Sequence, residues 1–196
     1  MKYSIILPSY DPNLIHHGQF LDMIRSIDIH SKGKDYELII RKNGPSYTES
    51  FNDAILSTRG DFIISVQDDM VIEDDEWLEK LSDKDHFVST KMIKYQLDGK
   101  DTPYWPIFGM PRWIFNKVGL LDPIYKDGIC YEDNDYVYRM RELGIPIKIA
   151  DVRYKHYGGK FGEDYLLEKK HDMIIHNAKI FIHKWEGKGL TLANIA

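Results

Sequence analysis

The sequence predicts an α/β domain in which a mostly parallel central sheet is flanked by helices. Three observations carry that prediction. Short apolar runs alternate with stretches of helical period, polar clusters follow directly on the apolar runs, and an apolar content of 43% with 13% aromatics over 196 residues suffices for a single core. A strand, helix, strand rhythm suits a sheet covered on both faces, and such sheets bind ligands beyond the carboxyl ends of their strands.

Tyr3 to Leu7 reads as a buried strand ended by Pro8, which has no N–H to give to a central ladder. A loop through Ser9 to Asn13 follows, after which Phe20, Ile24 and Ile27 recur at helical spacing. Glu37 to Ile40 is the next strand, closed by the turn Asn43-Gly44-Pro45. Phe51, Ile55 and Leu56 mark a second helix stopped at Gly60, and Phe62 to Val66 a third strand that breaks at once into Gln67-Asp68-Asp69. Pro8 to Asp11, Lys42 to Asn43 and Gln67 to Asp69 are therefore expected on one rim. Trp77, Leu78 and Leu81 suggest a short helix, Phe87 to Ser89 a strand, and Tyr104 to Met110 an aromatic loop or strand. Arg112 to Val118 reads as a helix ended by Gly119, Asp133 to Leu143 as one stopped by Gly144, Pro146 to Val152 as a strand, and Asp164 to Trp185 as a terminal helix.

The 31 acidic and 26 basic residues are dispersed, giving a formal charge of -5 without the basic stripe that nucleic acid requires. Cys130 is the single cysteine, so no internal disulfide forms, and a reducing cytoplasm suits the chain. No apolar stretch approaches the ~20 residues that span a bilayer, and the first residues run straight into a strand rather than a signal peptide. The expectation is a cytoplasmic protein. The lysines of the terminal helix, Lys169, Lys170, Lys179 and Lys184, leave peripheral membrane contact open, although Glu163, Asp164, Glu168 and Asp172 offset them.

Three constellations carry chemistry. In Gln67-Asp68-Asp69, consecutive carboxylates on a loop repel unless cations or hydrogen bonds compensate them, and hard oxygen ligands suit Mg2+ or Mn2+. A solvated acidic turn is the competing reading. In Tyr131-Glu132-Asp133-Asn134-Asp135, helix capping accounts for an acid or two. The density of carboxylates beside Tyr131 and Tyr136 also suits a site that holds a sugar hydroxyl while a carboxylate removes its proton. His156, ahead of Gly158-Gly159, stands out among eight histidines only because adjacent glycines let a loop close over phosphates.

These pieces occur in the order found in glycosyltransferase family 2, and the chain resembles that family along nearly its whole length. Ile5-Ile6-Leu7-Pro8-Ser9-Tyr10 resembles its first strand and nucleotide loop, and Phe51-Asn52-Asp53-Ala54-Ile55 with Arg59-Gly60-Asp61-Phe62-Ile63 its helix and third strand. Val66-Gln67-Asp68-Asp69 is similar to its metal motif, and Gly109-Met110-Pro111-Arg112 followed by Val118-Gly119-Leu120-Leu121-Asp122 to its acceptor-side segment. Tyr131 to Asp135 resembles its Glu-Asp signature, His156 falls where the family has a metal-ligand histidine, and Phe181 to Gly187 resembles its terminal Lys-Trp-Gly segment.

The resemblance implies a GT-A fold, the Rossmann-like fold of nucleotide-diphospho-sugar transferases. It implies one domain over residues 1–196, with about 1–100 as the nucleotide-binding half and about 101–196 as the acceptor-binding and catalytic half. It also implies an inverting glycosyltransferase in glycan or polysaccharide synthesis, using Mn2+ or Mg2+ held by Asp69 and His156, with Asp133 as base and Glu132 orienting hydroxyls. Pro8, Ser9, Tyr10, Asp11, Lys42, Asn43, Asn52, Gln67 and Asp68 would meet the nucleotide-sugar, and Trp105, Tyr104 and Arg112 the acceptor, which is a glycan, a lipid-linked sugar or a protein. Two departures matter. Gln67 replaces the leading acid of the metal motif, and Arg41-Lys42-Asn43 replaces an aspartate that accepts the pyrimidine N3 proton, whereas Lys42 only donates. A UDP-sugar therefore ranks first on family frequency, with a GDP-sugar as the alternative. A sugar nucleotidyltransferase would want a glycine-rich loop where Pro8-Ser9-Tyr10-Asp11-Pro12 stands, and a catalytically silent sugar-binding module is the remaining alternative.

Overall fold

The structure, a computed structural model, describes residues 2–9, 18–41, 46–94, 100–125, 130–157 and 163–187. Tyr10, Asp11, Lys42 and Asn43 of the expected nucleotide rim, and the glycine pair 158–159, lie outside the described residues. The first half runs β1 (Tyr3–Pro8), α1 (Gly18–His30), β2 (Tyr36–Arg41), α2 (Tyr47–Leu56) and β3 (Phe62–Val66). It continues with β4 (Met70–Ile72), α3 (Trp77–Lys80), β5 (Phe87–Ser89) and β6 (Met92–Lys94). The second half contains β7 (Asp101–Pro103), β8 (Ile107–Pro111), α4 (Arg112–Val118), α5 (Glu132–Glu142), β9 (Ile147–Ile149), β10 (Tyr154–His156) and α6 (Glu163–Trp185).

Six strands form the main sheet in the order β2-β1-β3-β8-β5-β9. The β1–β2, β1–β3 and β5–β9 pairings are parallel, and β8 enters antiparallel between β3 and β5. All six residues of β1 are buried, Ser4 with its hydroxyl bonded to Glu37, as a strand covered on both faces requires. Alternate side chains feed two cores. Ile5, Leu7, Ile64 and Val66 face Met23 and Ile27 of α1 together with Trp77. Ile6 and Ile63 face Phe51, Ala54 and Ile55 of α2 together with Phe87, Phe108 and Tyr136.

Local chemistry fixes the helix ends. Ser46 caps α2 by accepting from the backbone N–H of Glu49 at 3.2 Å, and Gly119 ends α4 with φ of 87°, a conformation that costs a glycine little. Gly109 is required for a different reason. A Cβ there would lie 2.1 Å from the Leu81 carbonyl oxygen, so β8 reaches its place beside the chain leaving α3 only without a side chain at that position.

The carboxyl rim is closed by two backbone bonds: Ser9 N–H to the Arg41 carbonyl at 2.8 Å and Gln67 N–H to the Pro106 carbonyl at 2.9 Å. Beyond that rim, the antiparallel ribbon of β4 and β10 sets His156 opposite Met70. At the other end of the chain, α6 packs Phe181, Ile182 and Trp185 against Tyr125 and Tyr138, forming a third, smaller cluster.

Candidate active site

Chain direction places the site. Because β8 is antiparallel to β3, the end of β3 at Val66 lies beside the start of β8 at Ile107. The segment just before β8, Tyr104-Trp105-Pro106, is thereby delivered to the same rim as Gln67-Asp68-Asp69. The β4–β10 ribbon then brings His156 back across 87 residues, its Nε2 at 3.0 Å from Asp69 Oδ2. The Tyr104 hydroxyl lies 2.6 Å from His156 Nδ1, on the far side of the ring. Burial, with Tyr154 and Asp69 nearby, pushes the Tyr104 phenol up to about 12, so it stays protonated and fixes the ring as a hydrogen-bonding partner. Asp68 is turned toward β1 instead, accepting from Ser9 Oγ at 2.5 Å.

The second acidic constellation opens α5. Cys130 and Tyr131 precede it with φ of 65° and 79°, left-handed values that are uncommon for residues with a Cβ and that concentrate at functional sites. That turn starts the helix with Glu132 and Asp133 side by side. Glu132 is only 6% exposed. Burial first, and the neighbouring Asp133 second, push its carboxyl above the usual range. Burial raises Asp133 as well, opposed by the backbone N–H of Asn134, which donates to its Oδ1 at 2.8 Å. Two adjacent acids poorly served by water retain a proton between them at a pH where exposed acids have lost theirs.

A cavity of about 400 Å3 opens beside the second constellation, its walls including Tyr104, Trp105, Tyr131, Asp133 and Asn134. Tyr104 thus faces His156 on one side and shares a wall with Asp133 on the other. Near this wall the Tyr47 hydroxyl is met by the Trp105 and Gln67 side chains, whereas among the described residues Glu132 Oε2 is buried without a hydrogen-bond partner. Leaving such a group unmet costs about 1–3 kcal/mol. Tyr47 was not among the residues singled out from the sequence, and an aromatic residue directly after a helix cap carries no signal of its own.

Several expected contacts are placed elsewhere. Arg112 stands at the opposite end of β3, donating through Nε to the Gly60 carbonyl at 2.7 Å and through Nη2 to Thr58 Oγ1 at 3.0 Å. It is a brace under the sheet, and its expected contact with an acceptor is corrected accordingly. Trp105 lines the cavity but offers no stacking face, because its ring lies against Phe87, Phe108 and Phe51 and is 5% exposed. The Asn52 amide is spent on the loop after α4, bonding the backbone N–H and C=O of Leu121 at 2.9 Å each. Pro8 is fully inside β1, paired with Arg41, and reaches the rim only through its carboxyl end.

Among the described residues no group of three or more His, Cys, Asp or Glu side chains has the geometry of a metal cage. The Asp69–His156 pair nevertheless fits a divalent ion that keeps only one or two protein ligands and fills its shell with phosphate oxygens and water. One oxygen and one imidazole nitrogen converge, and the ring is held from behind by the Tyr104 hydroxyl, as metal-binding histidines require.

No protein-family model and no curated protein matches the sequence. In three dimensions the chain is similar to Drosophila β1,4-galactosyltransferase 7 in complex with manganese, UDP-Gal and xylobiose, with a TM-score of 0.65 and 14% identity over 83% of this chain and 73% of that one. It is similar to Mycobacterium tuberculosis glucosyl-3-phosphoglycerate synthase in complex with Mn2+, UDP and phosphoglyceric acid, with a TM-score of 0.61 and 12% identity over 92% and 78%. It is also similar to S. aureus TarS, with a TM-score of 0.54 and 14% identity over 79% of this chain and 36% of that one. The fold is therefore the GT-A fold of nucleotide-sugar transferases.

Proposed function

We propose that the chain is an inverting, metal-dependent glycosyltransferase of family 2 that moves a sugar from a nucleotide diphosphate to an acceptor hydroxyl, in glycan or polysaccharide synthesis. One observation supports this reading: Tyr104 is bonded to His156 of the metal-suited pair Asp69 and His156, and it lines the same cavity as Asp133 of the base-suited pair Glu132 and Asp133. The fold supports it, since the similar galactosyltransferase and synthase were crystallised with manganese and UDP-Gal or UDP.

In this reading Asp69 and His156 would hold Mn2+ or Mg2+, with the imidazole Nδ1–H given to Tyr104 and Nε2 left free as a ligand. When bound, the ion supplies charge stabilisation for the departing diphosphate. Asp133 takes the proton of the acceptor hydroxyl, whose oxygen forms the new bond to the anomeric carbon. The bond from that carbon to the diphosphate oxygen breaks, and its electron pair leaves with the nucleotide. Burial makes Asp133 a stronger base than an exposed acid, closer to the working pH that general-base catalysis favours. Residues 1–100 would serve the nucleotide and residues 101–196 the acceptor, with Ser9, Gln67 and Asp68 at the donor side. UDP is the first choice of nucleotide and GDP the second. A glycan, lipid-linked sugar or protein is the acceptor class, and the cytoplasm, with peripheral membrane contact, the setting. No described helix is long and apolar enough to cross a membrane.

A second reading, a silent sugar-binding module, is favoured by Gln67 in place of an acid. Calorimetry with Mn2+ and UDP-glucose, UDP-galactose or GDP-mannose, followed by donor hydrolysis without acceptor, separates the two. The transferase reading expects metal-dependent binding and slow hydrolysis, both lost in Asp69→Ala. Binding with no turnover under any condition favours the module, and metal-independent binding unchanged in Asp69→Ala removes Asp69 from its role.

A further inference from the structure

The ribbon of β6 and β7 forms one wall of the cavity, facing the start of α5. Ile93 and Thr102 are directly opposite in that ribbon, so their side chains share one of its faces, and both line the cavity. Thr102 is 3% exposed, and its Oγ1 has no hydrogen-bond partner among the described residues. A buried hydroxyl of this kind is costly unmet, and it is satisfied by a group that donates or by one that accepts. Charge narrows what that group belongs to. Among the described residues the cavity wall has one cationic side chain, Lys94, which is already paired with Asp101 at 2.7 Å, and one carboxylate, that of Asp133, which no cation meets. Lys91, seated 4.0 Å over the Tyr104 ring, neighbours the wall without belonging to it. A phosphate entering here would face Asp133 with no spare positive charge, and bringing like charges together is strongly disfavoured. Much of the remaining wall is carbon: Ile93, Pro103, Pro106, Ile174 and the ring of Tyr131, which is backed by Phe181 at 5.5 Å. An uncharged sugar offers a hydrocarbon face to such a surface and hydroxyls to Thr102, Asn134 and Asp133.

We propose that this cavity takes the acceptor as an uncharged sugar, and that Thr102 is a specificity-determining residue whose hydroxyl bonds one hydroxyl of it. This rests on the transferase reading above and deepens it, since it selects a neutral sugar over a phosphorylated acceptor. Asp133 lines the same cavity as Thr102, so the hydroxyl that loses its proton and the hydroxyl that Thr102 holds belong to one bound molecule.

The measurement is made with Mn2+ and whichever of UDP and GDP binds better. Methyl glycosides of glucose, galactose, mannose and N-acetylglucosamine are compared, each with its 6-phosphate, by saturation-transfer NMR, which reads binding without turnover. At least one methyl glycoside should bind, and its 6-phosphate should bind about 10-fold more weakly or worse. Thr102→Val removes the hydroxyl and keeps the branched shape. It should weaken that glycoside by about 3–10-fold, with nucleotide affinity unchanged and the melting temperature equal or higher. Thr102→Ser keeps a hydroxyl and should bind the glycoside more tightly than Thr102→Val does. Three results overturn the proposal: no methyl glycoside binds, a 6-phosphate binds as tightly as its uncharged parent, or Thr102→Val binds the glycoside as well as the unaltered protein. A loss in Thr102→Val that comes with a lowered melting temperature and is not recovered in Thr102→Ser makes Thr102 a structural residue and overturns its role too. If the nucleotide binds only with metal and the sugars give any of these results, this inference falls alone. If neither nucleotide binds with Mn2+, the transferase reading falls and takes this inference with it.

Discussion

Asp133 and Asp135 share the first turn of α5 and have opposite surroundings. Asp135 is wholly buried, yet it accepts from Arg139 Nε at 2.9 Å, Lys184 Nζ at 2.8 Å, Trp185 Nε1 at 2.9 Å and the Tyr125 hydroxyl at 3.4 Å. Asp133 meets the backbone N–H of Asn134 and, among the described residues, no cationic side chain. One carboxylate is anchored by counter-charge and ties α6 to α5. The other is left uncompensated beside a cavity. The residue type and the helix turn are the same; the basic partners decide which carboxylate holds the structure and which stays available for the proposed reaction.

Substitutions sharpen this contrast. Asp133→Asn should cut turnover by roughly 10²-fold to 10⁴-fold while metal-dependent nucleotide binding and the urea midpoint stay put. Turnover near normal would remove Asp133 as the base. Asp135→Ala should do the reverse, destabilising the chain by about 3–5 kcal/mol in urea unfolding because Lys184 and Arg139 lose a buried partner. A midpoint shift below about 1 kcal/mol would show that α6 is held by its apolar contacts alone.

Smaller effects probe the shoulders of the site. Tyr104→Phe releases His156 Nδ1 and should weaken Mn2+ affinity in the presence of nucleotide by about 10–100-fold, read by calorimetry. Glu132→Gln tests the raised carboxyl through pH. Because its folded-state pKa lies above the unfolded value, the chain is most stable where Glu132 is protonated in both states, and it loses stability as pH rises from the ordinary glutamate range through the raised value. The loss is about 1.4 kcal/mol for each unit of elevation. The glutamine variant should match the parent in acid and exceed it at neutral pH and above. Parallel stability curves for the two proteins would mean that Asp133, not Glu132, carries the shared proton.

The longer elements were legible in the sequence because apolar period and punctuation agree. Tyr3 to Leu7, Glu37 to Ile40, Phe62 to Val66 and Arg112 to Val118 all emerge as elements within a residue or so of where they were expected. Tyr104 to Met110, open between loop and strand, resolves into a strand only from Ile107 onward, and the predicted strand Pro146 to Val152 shrinks to Ile147–Ile149. The three-residue strands β4, β6, β7 and β10 were invisible, since pairings this short leave no periodicity. The Asp-rich turn, the acidic helix start and His156 stood out as residue types. The partners that give them geometry did not. The environment of Tyr47 is made by α5 and by the segments that leave β3 and enter β8, and the place of Arg112 follows from the antiparallel course of β8, which the sequence does not announce.

The union of Asp69 with His156 hangs on three residue pairs, Tyr154 with Ile72, Lys155 with Val71 and His156 with Met70. Side chains in a strand alternate sides, so deleting one residue between Asp151 and Tyr154 would carry Tyr157 into the histidine's position and turn the imidazole to the opposite side. The six-stranded sheet contains none of those residues, so its strand order does not depend on them, although Met70, Ile72 and Val152 pack in the core on one of its faces. Such a shortened chain should keep its sheet and lose the pairing of Asp69 with His156, so the ribbon's register alone decides whether the proposed cation has a place to bind.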